Sequence, residues 1–448
     1  MIRKILILLF LFSGGYINSQ EKFNFTGVNK NVQSVKFQLI NNLIVVPLKI
    51  NGSQLSFILD TGVNKTILFN LSKEDSLGLN NVKKISLQGL GTGKPVEALL
   101  SQKNSIRIHN YVGVNNDVYV ILNDTFDVSG KMGTTIHGII GYELLKGAVV
   151  KINYRTRKIY FYNPETFSYK KCRKCETFPL SFYRNKPYID AKVQLDTVNN
   201  KLSDVKLLID TGGSDAIWLF ENTKKEIQTP KKYFRDILGE GLSGSIYGNR
   251  SRIPSMKIGS FKIVKPTISF LDSTSTLNAR KFKKRNGSIG GGILKRFKVW
   301  IDYPNKKITL KKNGSFKGGF EYNMSGLSIV YNAKVLVKTE GARGLLDVYD
   351  ITGDKTSNFG ALPSSVINYS YRFKHSYKID KVLEDSPGGK AGLQKGDIIM
   401  KINGSGVFGY TLKELMSVFQ ERHDKKIKLV VERNGQPIKF EFRLEKRI

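Results

Sequence analysis

The residues best placed to do chemistry are two carboxylates, Asp60 and Asp210, each followed by Thr and Gly: "FILDTGVNKTIL" at 57–68 and "LLIDTGGSDAIWL" at 207–219. Three apolar residues lead into each Asp and apolar residues return after it, so each carboxylate ends a strand apolar enough to be buried. An unpaired charge there is costly. Two carboxylates sharing one desolvated site hold a single proton between them and titrate as a coupled pair, supplying a base and an acid together. The base would take a proton from a water held between them while the acid donates to the carbonyl oxygen of a peptide. Thr61 and Thr211 offer hydroxyls to fix the carboxylates, and Gly62 and Gly212 allow the tight turn that lets the strands approach.

The elements that must position this pair recur as well. Asp60 and Asp210 are 150 residues apart; "GLGTGKP" starts at Gly89 and "GEGLSGS" at Gly239, each 29 residues past its Asp. "VYVIL" ends at Leu122 and "TISFL" at Leu271, 62 and 61 residues downstream, while Gly141 and Gly291 both lie 81 residues downstream. The chain therefore contains a duplicated lobe, read as strands punctuated by Gly, Asn and Pro turns with little helical periodicity. A pseudo-two-fold between the copies would bring Asp60 and Asp210 to its axis. The Gly-rich segment with Gly89, Gly91 and Gly93 reads as a hairpin tip able to close over a substrate.

The two DTG triplets, each followed at matched distance by an apolar-apolar-Gly segment ("GIIGYELL", "IGGGILKRF"), resemble single-chain retropepsin-type aspartic proteases of the pepsin superfamily over about residues 35–313. The resemblance implies a mainly β fold with two pseudo-symmetric lobes of the acid-protease type, a catalytic dyad of Asp60 and Asp210, and endopeptidase action on peptide or protein substrates. It implies no metal and no organic cofactor. Val63 and Gly213 stand where the family commonly has Ala, Ser or Thr, and the first flap lacks the tyrosine of pepsin-like enzymes, which favours the retropepsin type. The same scaffold with a degenerate site would be a peptide-binding adaptor. DTG also occurs in phosphate-binding turns, but those folds need alternating strands and long helices that neither lobe supplies. Five residues past each Asp the copies carry opposite charges, Lys65 and Asp215, expected to line subsites and select a substrate charged oppositely on its two sides.

After "KKNGSFKGGF" the pattern changes. "SPGGKAGLQKGDIIMKING" at 386–404, an amphipathic helix opened by a Thr411 to Glu414 capping box, and a hairpin at Asn434-Gly435 follow in order. This run resembles a PDZ domain, with Gly388 and Gly389 in place of the more usual alanines. The resemblance implies an α/β module that binds peptide C-termini by strand addition, with Gly326, Leu327, Ser328 and Ile329 as its peptide-binding loop and strand, and an insertion of about forty residues before the next matching strand. The expected division is a first lobe at 20–165, a connector at 166–176, a second lobe at 177–313 and the PDZ-like domain at 317–448.

Residues 1–19 begin with Arg3 and Lys4, run apolar from Ile5 to Phe12, and continue with small and polar residues, which reads as a cleaved secretion signal. The run is far shorter than the roughly twenty apolar residues a bilayer requires. The mature protein is expected to be exported, to the periplasm or the extracellular space, with no transmembrane segment. Cys172 and Cys175 are the only cysteines, and in an oxidising compartment they read as a local disulfide rather than a redox or zinc site. Lys plus Arg number 72 against 37 Asp plus Glu, a formal charge of +35. The basic residues are spread over strands and turns, so nucleic acid is not expected as a partner. Attraction to an anionic surface is consistent with the charge.

Overall fold

The computed structural model describes residues 23–27, 30–71, 77–87, 95–121, 128–196, 201–241, 244–345 and 365–448. The expected signal segment and the flap residues Gly89, Gly91 and Gly93 lie outside the described residues. The fold is mainly β. In the first lobe Leu43–Ile50 and Ser53–Leu59 pair antiparallel across Asn51-Gly52. Their φ values of 48° and 96° supply the left-handed pair that a two-residue hairpin needs. Leu55, Phe57 and Leu59 alternate into the core and carry the strand directly into Asp60. Gly138–Ile140 lies parallel to this strand and antiparallel to Thr66–Leu68 on its other side.

The second lobe repeats this arrangement. Lys186–Gln194 pairs with Leu202–Ile209, which leads into Asp210; Gly287–Ile289 runs parallel to it, and Ile217–Phe220 follows antiparallel. One expectation is corrected by a single residue. Asp60 N–H donates to the Ile140 carbonyl at 2.8 Å and Asp210 N–H to the Ile289 carbonyl at 2.9 Å, so Gly141 is equivalent to Gly290, not Gly291. Lobe 2 has one residue fewer between its Asp and this strand. Both glycines are required by close approach: a Cβ on Gly141 would lie 2.0 Å from the Asp60 carbonyl oxygen, and one on Gly290 2.3 Å from that of Asp215.

Behind the two lobes a six-stranded sheet takes three strands from each repeat, in the order Cys175–Pro179, Lys307–Lys312, Phe297–Asp302, Val149–Asn153, Lys158–Tyr162, Val32–Lys36. Lys151 faces Trp300 at its centre. Cys172 and Cys175 form a disulfide, and Cys175 opens an edge strand of this sheet.

The C-terminal module is a further sheet ordered Leu327–Leu345, Ser365–Val382, Ile398–Ile402, Lys426–Arg433, Gln436–Arg443. The first two strands stay paired from Leu327 opposite Val382 to Leu345 opposite Ser365, so the described part of the expected insertion extends one antiparallel pair. The helix Leu412–Val418 begins at the Thr411 and Glu414 capping box. Leu412, Leu415 and the C-cap residue Phe419 are buried, fixing the helix on the sheet. Among the described residues no helix is long and apolar enough to cross a membrane.

Arg296 ties lobe 2 to the segment leading into this module. Its side chain is buried and donates to the carbonyls of Gly292, Ser315, Phe316, Gly318 and Gly319, with the guanidinium 3.6 Å from the Phe320 ring centre. Arg296→Met leaves those acceptors without their donor, at a cost of about 3 kcal/mol. The variant should be cut by trypsin between residues 312 and 320 much faster than the parent, releasing the C-terminal module; an unchanged digestion rate would show that the clamp does not hold the junction.

Candidate active site

Thr61 and Thr211 meet at the pseudo-two-fold, fully buried and bonded crosswise. Thr61 Oγ1 donates to the Ile209 carbonyl at 2.5 Å and accepts from Thr211 N–H at 3.1 Å. Thr211 Oγ1 donates to the Leu59 carbonyl at 2.7 Å and accepts from Thr61 N–H at 3.0 Å. All four bonds cross between the lobes. The hydroxyls therefore clamp the two strand ends to each other, and do not hold the carboxylates directly as expected from the sequence.

The carboxylates are held by backbone. Gly62 N–H donates to Asp60 Oδ1 at 2.6 Å and Gly212 N–H to Asp210 Oδ1 at 3.1 Å. A Cβ on Gly62 would lie 3.0 Å from Asp60 Oδ1 and 3.5 Å from Asp210 Oδ1, and one on Gly212 only 2.2 Å from Asp60 Cγ. Gly212 therefore leaves no room for a side chain, and one at Gly62 would crowd the Asp60 carboxylate. At Val63 and Gly213 the backbone is what matters: their carbonyls accept from Tyr142 N–H at 3.0 Å and Gly291 N–H at 2.7 Å.

Burial pushes Asp60 up to about 7, reinforced by the neighbouring Asp210 charge and opposed by the Gly62 N–H. Burial raises Asp210 as well, against the pull of two cations that sequence reasoning missed, Arg285 and Lys186. Arg285 is buried, donates to the Gly287 carbonyl at 3.1 Å and Ser288 Oγ at 2.8 Å, and lies 4.9 Å from the Phe220 ring centre. Lys186 opens the strand Lys186–Gln194. Tyr303, also missed, buries a hydroxyl that lacks a hydrogen-bond partner among the described residues and feels the Asp60 charge.

Asp60 and Asp210 open into a cleft of about 1280 Å³ lined by both lobes and by the C-terminal module. Gly326, Leu327, Ser328 and Ile329 line the same cleft, together with Leu412 and Met416 of the neighbouring helix. Lys65 and Asp215 line it too, but they are not a pair of free opposite charges. Lys65 Nζ sits 5.6 Å from the Tyr119 ring centre, while Asp215 accepts from Trp218 Nε1 at 2.7 Å, Ser269 Oγ at 2.9 Å and Arg250 Nη1 at 3.0 Å. Arg250 pairs with both Asp215 and Asp236 within lobe 2, so the Asp215 carboxylate is engaged by its own lobe. Around the flap glycines, Lys83–Leu87 and Val96–Ile108 pair as a hairpin with Leu87 opposite Val96. The corresponding lobe-2 hairpin, Phe234–Gly241 with Gly244–Arg252, brings Gly239 and Gly241 to the cleft.

The folded-state pKa of Asp60, about 7, exceeds the unfolded value of 3.8. Between these values the folded chain binds the extra proton, so this group's contribution falls as pH rises from about 4 to 7 and is then level. Asp60→Asn removes the penalty. The variant should unfold at higher temperature than the parent at pH 8, with the difference shrinking towards pH 4; a difference independent of pH would remove Asp60 as its source.

Residues 46–144 match a family model described as aspartyl protease, and residues 378–433 match a PDZ domain model. No curated protein matches the chain. Among solved structures, the crystal structure of aspartic proteinase from Irpex lacteus aligns at a TM-score of 0.41 and 12% identity, covering 64% of this chain and 99% of that one. The chain thus carries an aspartyl protease domain and, C-terminal to it, a PDZ domain.

Proposed function

We propose that the protein is an exported aspartic endopeptidase that hydrolyses peptide bonds with a water activated between Asp60 and Asp210, its PDZ domain recognising peptides or gating the cleft. The observation that carries this reading is the half-buried carboxylate pair, set beside the Thr61 and Thr211 clamp where the two lobes cross and open to a cleft. At working pH the pair holds one proton. Lys186 pulls on both carboxylates and Arg285 on Asp210, so Asp210 is taken as the ionised member and Asp60 as the protonated one. Asp210 takes a proton from the water as its oxygen attacks the scissile carbonyl carbon, and Asp60 donates its proton to the carbonyl oxygen. The tetrahedral intermediate collapses as the C–N bond breaks: the amine leaves with the proton taken by Asp210, and the hydroxyl proton returns to Asp60.

Two features support a gating role. The PDZ peptide-binding segment shares the cleft with the dyad. Lys381 Nζ, on the PDZ strand Ser365–Val382, donates to Ser245 Oγ at 2.6 Å on the lobe-2 hairpin that lines the cleft. A ligand that shifts the PDZ domain would act on that hairpin. Export rests on the apolar run from Ile5 to Phe12, and the Cys172–Cys175 disulfide suits an oxidising compartment.

The test is cleavage of a proteome-derived peptide mixture between pH 4 and 8. The parent should cleave, with activity falling as pH rises through about 7 because the pair then loses its remaining proton. Asp60→Asn and Asp210→Asn should each lose about 10³-fold or more. Equal turnover by all three proteins would overturn the dyad. If none cleaves while C-terminal peptides bind, the protein is a peptide-binding adaptor on a protease scaffold.

A further inference from the structure

The two walls of the cleft are equivalent by repeat but not by charge. Val45 faces Ile58 in lobe 1 and Tyr188 faces Leu208 in lobe 2, each second partner lying two residues before its Asp. Counting back two places makes Leu43 and Lys186 equivalents. Ile140 and Ile289 accept from the two Asp N–H groups, so four residues earlier Ile136 and Arg285 are equivalents. Phe69 and Phe220 are a third pair, donating from N–H to the carbonyls of His137 and Asn286. Lobe 1 builds one apolar cluster here from Val45, Ile58, Phe69 and Ile136, with Leu43 packed against it. In the same places lobe 2 has an ammonium and a guanidinium. Leu43, Lys186 and Arg285 all line the cleft.

Among the described residues the two cations in that wall have no carboxylate of their own besides the dyad. A dyad holding one proton carries one negative charge, against the two positive charges of Lys186 and Arg285. The charged or titratable groups that face these two cations are Asp60, Asp210, Arg184 and Tyr188. Among the described residues neither cation has a carboxylate within ion-pair distance; the nearby Asp215 and Asp236 are both paired with Arg250. Arg250 serves two carboxylates, so the charges of the wider wall sum close to zero, but among the described residues Lys186 and Arg285 share only the single charge of the dyad and can take up a further carboxylate. A carboxylate that enters the cleft meets both cations.

We propose that Lys186 and Arg285 form a carboxylate-accepting subsite on the lobe-2 wall, so that the preferred peptide carries an apolar side chain on one side of the scissile bond and a carboxylate on the other. The inference rests on the peptidase reading and names its substrate class. The scissile bond lies at the pseudo-two-fold between Asp60 and Asp210, so equivalent positions on the two walls meet residues on opposite sides of it. The carboxylate is an Asp or Glu side chain or a free C-terminal α-carboxylate; both present the same acceptor to an ammonium and a guanidinium.

The experiment compares the parent, Lys186→Leu, which installs the lobe-1 residue, and Lys186→Arg. Substrates are peptides with a fixed apolar residue and Glu, Gln or Leu scanned across the positions before and after it, each as free acid and as C-terminal amide. The parent should cleave Glu over Gln peptides by about tenfold in kcat/KM. Lys186→Leu should lose that ratio and gain on Leu peptides, and Lys186→Arg should restore it. A Glu preference kept in the amides assigns a side-chain carboxylate; a preference seen only between free acid and amide assigns the chain terminus. Equal cleavage of all forms by the parent would overturn the subsite and leave the peptidase reading intact. If the parent cleaves nothing, the peptidase reading falls, and binding of fluorescein-labelled Glu and Gln peptides to the parent and Lys186→Leu decides the subsite alone: a Glu advantage lost in the variant supports it, and equal affinities overturn it.

Discussion

Two like charges cannot share a buried site without help, and the architecture of both lobes answers that constraint. At 4 Å and an effective dielectric of about 20, two ionised carboxylates would repel by about 4 kcal/mol. A retained proton on the Asp60 and Asp210 pair removes most of this, and N–H donors from Gly62 and Gly212 satisfy one oxygen of each group. Those donors sit correctly only if the two strand ends approach closely. The crossed Thr61 and Thr211 bonds enforce the approach, and the bare backbone of Gly212 beneath Asp60 Cγ makes room for it.

That clamp needs a rigid frame. The sheet behind the lobes provides it by joining Val149–Asn153 directly to Phe297–Asp302, so that the lobes are bonded at the back as well as at the dyad. The PDZ domain closes the remaining side, held at its entry by Arg296 and at the lobe-2 hairpin by Lys381. Gly326 to Ile329, the segment expected to bind peptide, lines the same cleft as Asp60 and Asp210.

Much of this was legible in the residues. The DTG repeat placed Asp60 and Asp210 at equivalent points, the apolar run Phe57, Ile58 and Leu59 announced a buried strand, and the Thr411 and Glu414 capping box marked a helix start. What escaped depends on tertiary packing. Lys186 sits in "RNKPYID" and Arg285 in "KKRNGS", stretches indistinguishable from solvated turns until the lobes close over them. Arg296 looked like one more base in "LKRFK", although its side chain organises five carbonyls. The Gly141 and Gly290 equivalence was missed by one residue because matched counting from the Asp overlooks a single-residue difference in loop length. Asp215 read as a free subsite charge because its partner Arg250 is 35 residues away in sequence.

The six-stranded sheet, with three strands from each repeat about a central Lys151 and Trp300 rung, has the symmetry that two identical subunits would generate. A peptide has no such symmetry: it runs from amino to carboxyl end. A cleft made by two identical copies presents the same surface to a chain entered either way round, and cannot tell one direction from the other by its walls alone. Joining the copies in one polypeptide let each wall diverge while the symmetric carboxylates stayed fixed. Leu43 on one side and Lys186 on the other are that divergence, and they give the cleft a polarity along which a peptide can be aligned.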